Sequence, residues 1–154
     1  MPLRGNHAVR TRSSGTAALE FAIVLPVLLA VVIGIVYFGI VLALQQTLTL
    51  AAEEGARAAL RYPSGASANN AAATQALRVS AASTTALAVL PASISSVIPT
   101  ANIAQVVSCA NPSGSVCVTV TLNLPSSAIL PVIPGVPIPT TLTGSATVQL
   151  APDT

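Results

Sequence analysis

Apolar and polar positions alternate along this chain in three distinct rhythms, and each predicts a different element. From Phe21 to Leu44 there is no charged residue across 24 positions. As a helix this run reaches about 36 Å, enough to cross a hydrocarbon core with some tilt. Later apolar stretches are broken by prolines and by Ser/Thr-rich segments, so a single span is expected. The helix should continue beyond it, because "QQTLTLAAEEGARAALRY" has no proline until Pro63. There Leu48, Ala52, Ala56, Ala59 and Leu60 trace a drifting apolar stripe that should pack on something, and "YPSG" ends the helix. Glu53 precedes Arg57 by four residues, a spacing that supports the helix, while Arg57 and Arg61 at the same spacing slightly oppose it.

From Ala66 to Leu90 the chain is rich in Ala, Ser, Thr and Asn, with Ala73, Leu77, Ala81, Thr84 and Ala88 near helical spacing. A second helix stopping at Pro91 is expected; the alternative is a low-complexity linker, since "SAASTT" does not favour helix. After Pro99 the period becomes two. Val116, Val118, Val120, Leu122 and Leu124 alternate with polar residues, as do Leu142, Gly144, Ala146, Val148 and Leu150. With an earlier strand at about Ile103 to Ser108, these predict a three-stranded antiparallel sheet whose apolar face lies on the helices. The intervening "PSSAILPVIPGVPIPTT" holds five prolines and cannot be a central strand. It is read as a loop over its own core, or else a surface for a partner.

Composition agrees with a membrane association: 53% of residues are hydrophobic, 6% are charged and the mean hydropathy is +0.79. All six basic residues are arginines, and Arg4, Arg10 and Arg12 precede the span. That bias keeps the N-terminal arm cytoplasmic, although Arg57 and Arg61 weaken it. Cys109 and Cys117 flank a turn-forming stretch and serve best as a disulfide beyond the membrane, where closing a nine-residue ring contributes about 2.5 kcal/mol on the chain-entropy model. Their spacing is not that of a redox C-x-x-C pair. Without residues 1–15, three arginines face four acids, so no nucleic-acid footprint remains.

Catalysis finds little to work with. The sole histidine, His7, lies in the leader, the chain has no lysine, and the acids are Glu20, Glu53, Glu54 and Asp153. No triad or carboxylate pair suited to acid/base or nucleophilic chemistry can be assembled, and no structural zinc set. The expectation is no enzyme, no cofactor, no metal and no small-molecule substrate.

Glu20, standing at the edge of the apolar run, is the informative acid. Gly15 lies five positions earlier, Thr16, Ala17 and Ala18 are small, arginines precede, and Phe21 opens the run. This is similar to the processing site of type IV prepilins, in which the peptidase cuts after the glycine and the glutamate becomes the fifth mature residue. Here the cut falls between Gly15 and Thr16. The longer stretch "GTAALEFAIVLPVLLAVVIGIVYFGIVLALQQTLTLAAEEGARAALRY" resembles the TadE-like family, pseudopilins of the tight-adherence or Flp pilus system. Glu20–Phe21, the Leu25–Pro26 step, the Gly-containing aromatic patch and "EEGARAA" carry the resemblance, which covers about residues 15 to 62.

Together with the strand pattern and the cysteine pair, the resemblance gives an α+β fold: a pilin-like long N-terminal transmembrane helix, which the resemblance implies, and a second helix and a small three-stranded antiparallel sheet with one disulfide, which the residue pattern predicts. It implies a basic leader (1–15), a helix (16–62) and an extracytoplasmic domain (63–154). The role implied is that of a minor pseudopilin in the bacterial inner membrane, with a prepilin peptidase, other pilins and pseudopilins, and a pilus assembly platform as partners. Glu20 of one subunit would pair with the new α-amino group of a neighbour and set register, with Phe21 beside it. Ala22, Pro26, Ala30 and Gly34, at four-residue steps, offer a face for close helix packing in lipid. Pro26 should kink or loosen the span. Two rivals stay open: an unprocessed single-pass anchored domain, and a protein released after a site near Ala52. A major filament subunit is disfavoured, since major Flp-type pilins are much shorter.

Overall fold

The computed structural model describes residues 14–61, 63–64, 70–110, 114–132, 137 and 139–150. The order of elements is α1 (Ser14–Leu60), α2 (Ala71–Val89), α3 (Ala92–Ser95), β1 (Ala104–Ser108), β2 (Val116–Pro125), a 3-10 turn (Ser126–Ala128) and β3 (Thr141–Gln149). The chain divides into two compact units, residues 1–39 and 40–154, and α1 contributes to both.

In the first unit, α1 is largely bare, with Tyr37 its buried side chain. Phe21, Ile23, Val24, Val27, Leu28 and Ile35 are all exposed, Ile35 at 70%. An apolar surface right round a helix matches hydrocarbon rather than water. Among the described residues α1 is the one helix long and apolar enough to cross a membrane. It runs unbroken through Pro26, whose missing N–H leaves the Ala22 carbonyl without its intrahelical donor. The helix begins at Ser14, inside the segment read as a leader without helical pattern. Its first residues lack any breaker once past Gly15, so the helical rhythm of the span extends back over them.

The second unit is an α+β sandwich. The sheet has strand order β1-β2-β3 and is antiparallel throughout. In β2, Val118, Val120, Leu122 and Leu124 are fully buried, and their partners Val148, Ala146, Gly144 and Leu142 share their face. The period-two reading holds from Val118 to Leu124 and along β3, but it breaks at the start of β2, where the disulfide draws Cys117 into the core and leaves Val116 half-buried. The opposite face carries Thr119 and Thr147, whose hydroxyls bond at 2.9 Å, and Thr143, which donates to Asn123 Oδ1 at 3.0 Å. The Cys109–Cys117 disulfide closes the β1–β2 hairpin, with a Cα–Cα distance of 5.2 Å. Gly114 sits in that hairpin at φ +95°, a conformation L side chains rarely adopt.

Two glycines set the distance between layers. A Cβ at Gly144 on β3 would meet Thr49 N at 2.6 Å and Leu48 Cβ at 2.7 Å, besides the Leu48 carbonyl carbon. A Cβ at Gly55 would meet the Ala82 carbonyl oxygen and Ala86 Cβ, each at 2.8 Å. Strand β3 thus lies directly on the α1 backbone, and α2 lies directly on α1. Leu48, Ala51, Ala52, Ala56 and Ala59 form the buried seam of α1.

Several expectations need correction here. The seam includes Ala51 and Gly55 and leaves Leu60 exposed, because α1 ends at Leu60 and no described residue covers its last side chain. The ion pair on α1 joins Arg57 to Glu54 at 2.8 Å, three residues apart, rather than to Glu53. Helix α2 starts at Ala71, where Asn70 caps it by accepting from Ala73 N–H at 3.0 Å. Its buried face is Thr74, Arg78, Ala82 and Ala86, one residue on from the stripe expected, with Ala73, Leu77 and Ala88 exposed. The close approach at Gly55 requires alanines at the contact, and that steric demand outweighs the burial of Leu77. The turn α3 and the 3-10 turn were not anticipated. The proline-rich stretch opens with that 3-10 turn, held by Ser126 N–H and Oγ donating to the Thr140 carbonyl at 3.0 and 3.1 Å. It buries Leu130 and exposes Val132, while 133–136 and 138 lie outside the described residues.

Candidate functional site

The residues singled out for processing and assembly all lie on the first two turns of α1. Gly15, Thr16, Glu20 and Phe21 are exposed there. A helical rise of about 1.5 Å puts Glu20 roughly 6 Å along the axis from Thr16. Residues four apart share one helix face, so the side chains of Thr16 and Glu20 lie on the same side of α1. Among the described residues no cation lies within ion-pair range of Glu20. Its neighbours Leu19, Phe21, Ile23 and Val24 are exposed aliphatic or aromatic side chains. A carboxylate in that setting is costly unless it finds a charge or a hydrogen-bond donor from elsewhere. The arginines Arg4, Arg10 and Arg12, and His7, lie outside the described residues.

Ala22, Pro26 and Ala30 are exposed on α1 and Gly34 is half-buried. A Cβ at Gly34 or Gly39 would meet nothing within 4 Å. Among the described residues, Gly34 and Gly39 thus make no close approach of the kind made at Gly55 and Gly144. The rest of the chemistry is sparse. Glu53 and Glu54 are exposed, as is Arg57. Among the described residues no group of three His, Cys, Asp or Glu side chains could hold a metal ion. Arg78, which sequence reasoning passed over, is buried on the inner face of α2. Its spacing from Ala82 and Ala86 was the available signal.

A family model matches residues 15–57, and that model describes TadE-like proteins. Over this stretch the chain is similar to TadE-like proteins. No curated protein and no solved structure matches it. The TadE-like segment opens at Gly15, contains Glu20–Phe21 and the whole apolar run, and closes at Arg57, within the buried seam of α1 and short of Ala59. It therefore joins a lipid-like surface to a protein-packing surface on one helix. TadE-like proteins are a structural family and not an enzymatic one. The strands, the disulfide and α2 lie beyond the matched residues.

Proposed function

We propose that the chain is a minor pseudopilin that acts structurally in assembling a tight-adherence (Flp) pilus or a related secretion apparatus. A prepilin peptidase cuts between Gly15 and Thr16, α1 stays anchored in the bacterial inner membrane, and the disulfide-closed α+β domain stands outside the cytoplasm. The observation that carries this reading is the coincidence of the TadE-like match with the glycine, the glutamate five residues on, and a helix whose apolar surface is exposed on every side.

The role of Glu20 follows from charge. Cleavage frees an α-amino group, and Glu20 of one subunit pairs with that amine on a neighbour, so two charges that are expensive in an apolar surrounding offset each other. Glu20 thereby sets the axial register, and Ala22, Pro26, Ala30 and Gly34 let the neighbouring helix approach closely. The partners are the membrane, the prepilin peptidase, other pilins and pseudopilins, and the assembly platform.

The deciding experiment is intact mass with N-terminal sequencing of the membrane-extracted protein, with and without a co-expressed prepilin peptidase. A peptidase-dependent start at Thr16 is expected. A start at Met1 in both cases would replace this reading with an unprocessed single-pass anchored protein, and a start near Glu53 would make the span a signal only.

A further inference from the structure

Beyond Arg78 the chain runs from Val79 to Pro152 without a charged residue. That stretch makes the whole sheet, and among the described residues neither sheet edge has a pairing strand. The Leu150 N–H donates to the Val116 carbonyl at 2.8 Å and the Ser126 N–H to the Thr140 carbonyl at 3.0 Å. Antiparallel alternation carries this pairing through Leu142, Gly144, Ala146 and Val148. The backbone N–H and C=O groups of Thr141, Thr143, Ser145, Thr147 and Gln149 therefore point away from β2. On the other side, Thr121 N–H donates to the Ile103 carbonyl at 2.7 Å and Cys109 N–H to the Ser115 carbonyl at 3.0 Å. The same alternation turns the backbones of Ala104, Val106 and Ser108 outward. Among the described residues no strand pairs with either edge.

Sheet edges are ordinarily blunted by lysine, proline, a bulge, an inward charge, a very short strand or a covering helix. β3 has none of the first five, and β1 has only its five-residue length and the neighbouring α2. The strands read "AQVVS" and "TLTGSATVQ", and their registers run without a slip. Val106 and Val107 stay exposed on opposite faces of β1, at 40% and 36%.

Strand polarity selects the occupant. β1 and β3 are both antiparallel to β2, so they run parallel to each other. A second copy displaced sideways without inversion brings its β1 beside β3 of the first, and the sheet continues as a parallel pair. A two-fold β3–β3 pair would need an axis perpendicular to the sheet, which reverses the Ile40–Leu60 part of α1 that packs on it. Size points the same way: a five-residue strand buries far less than the roughly 1,200 Å² of a stable interface. The contact is too small to hold free molecules, and it suits chains that anchors already hold at about millimolar effective concentration.

We infer that the β3 edge of one copy takes the β1 edge of a second copy of this chain as a parallel strand, joining equally oriented domains side by side. This rests on the anchoring part of the proposed function and not on processing at Gly15. The test uses full-length protein in native membranes, in cells without a prepilin peptidase. Differently tagged Ser145→Cys and Gln105→Cys copies are co-expressed and treated with a short bifunctional thiol reagent; both positions lie on the outer sheet face. A mixed-tag dimer is expected, falling about five-fold or more when Thr143→Lys and Thr147→Lys are added to the Ser145→Cys copy. Oxidised Cys109–Cys117 in that copy shows that it still folds. Ser145→Cys linking to itself as strongly as to Gln105→Cys would overturn the parallel arrangement. Protein in the membrane pellet with no mixed dimer above an Ala88→Cys control would overturn the edge pairing alone, and protein missing from the pellet would overturn the anchoring reading along with it.

Discussion

Replacing Gly144 by alanine tests the central packing claim, because the added methyl has nowhere to go. It would lie 2.6 Å from Thr49 N and 2.7 Å from Leu48 Cβ, with the Leu48 carbonyl carbon closer still. Carbon contacts are comfortable at about 3.5–4.0 Å, so β3 and α1 must separate locally by roughly 1 Å. A rotamer change cannot relieve this, since two of the three atoms are backbone. Leu48, Leu122, Leu124 and Leu142 are fully buried around the contact, and a radial gap of about 0.5–1 Å forfeits a quarter to a half of each contact lining it. Overpacking of this kind costs about 1–3 kcal/mol, and a rigid backbone contact belongs at the upper end. For a domain of about 100 residues, roughly 3 kcal/mol lowers the unfolding midpoint by about 10–20 °C. The assay is thermal or urea unfolding of the detergent-solubilised full chain, followed by far-ultraviolet dichroism. Gly34→Ala is the control, because a Cβ there meets nothing within 4 Å. If Gly144→Ala unfolds within about 2 °C of the wild type, β3 does not rest on the α1 backbone and the layer spacing described above is wrong.

Four further outcomes are expected. Gly55→Ala should destabilise by about 1–3 kcal/mol in the same assay, since its methyl meets the Ala82 carbonyl oxygen and Ala86; a neutral result would remove the α1–α2 contact. Cys109→Ser with Cys117→Ser should lose about 2.5 kcal/mol, and reduction of the wild type should match it; a shift under about 0.5 kcal/mol would make the bridge dispensable. Glu54→Gln should change stability by no more than about 0.5 kcal/mol, because its pair with Arg57 is solvent-exposed, and a larger loss would point to a contact not seen here. Glu20→Gln should leave membrane insertion intact and impair incorporation into a pilus, read by fractionation and pilus shearing; normal incorporation would sink the register role.

The elements were legible wherever one physical demand dominated a segment. Alternation in β2 and β3 showed both faces because one face meets a core and the other water, which leaves no second pattern to compete. The α1 run was legible for a similar reason, since a bare apolar helix has no face to choose. In α2 two demands conflict. Hydrophobicity alone favours burying Leu77, while the approach of α1 at Gly55 admits only small side chains, so the face turned to Ala82 and Ala86 and carried Arg78 inward with it. Nothing in α2 taken alone records where a partner helix lacks a side chain. The Glu54–Arg57 pair shows the same limit on a smaller scale: three- and four-residue spacings both place charges on one face, and rotamer geometry decides between them.

The end of the TadE-like match at residue 57 has a physical reading of its own. Up to that point α1 has to satisfy two environments in one continuous helix. Its first part presents aliphatic side chains in every direction, and its later part keeps Ala51, Ala52, Gly55 and Ala56 small so that a second helix and a strand can lie against its backbone. Few sequences meet both demands, which makes the segment recognisable. The remaining residues face a looser one. Any strand with an apolar face, a small residue opposite Leu48 and a polar outer face would complete the core, and a hairpin bridge can replace missing core volume. A sheet so loosely specified is free to differ in everything its outer face and its edges present. Where such a domain acquires specificity for its neighbours, those edges and that face are the places to find it.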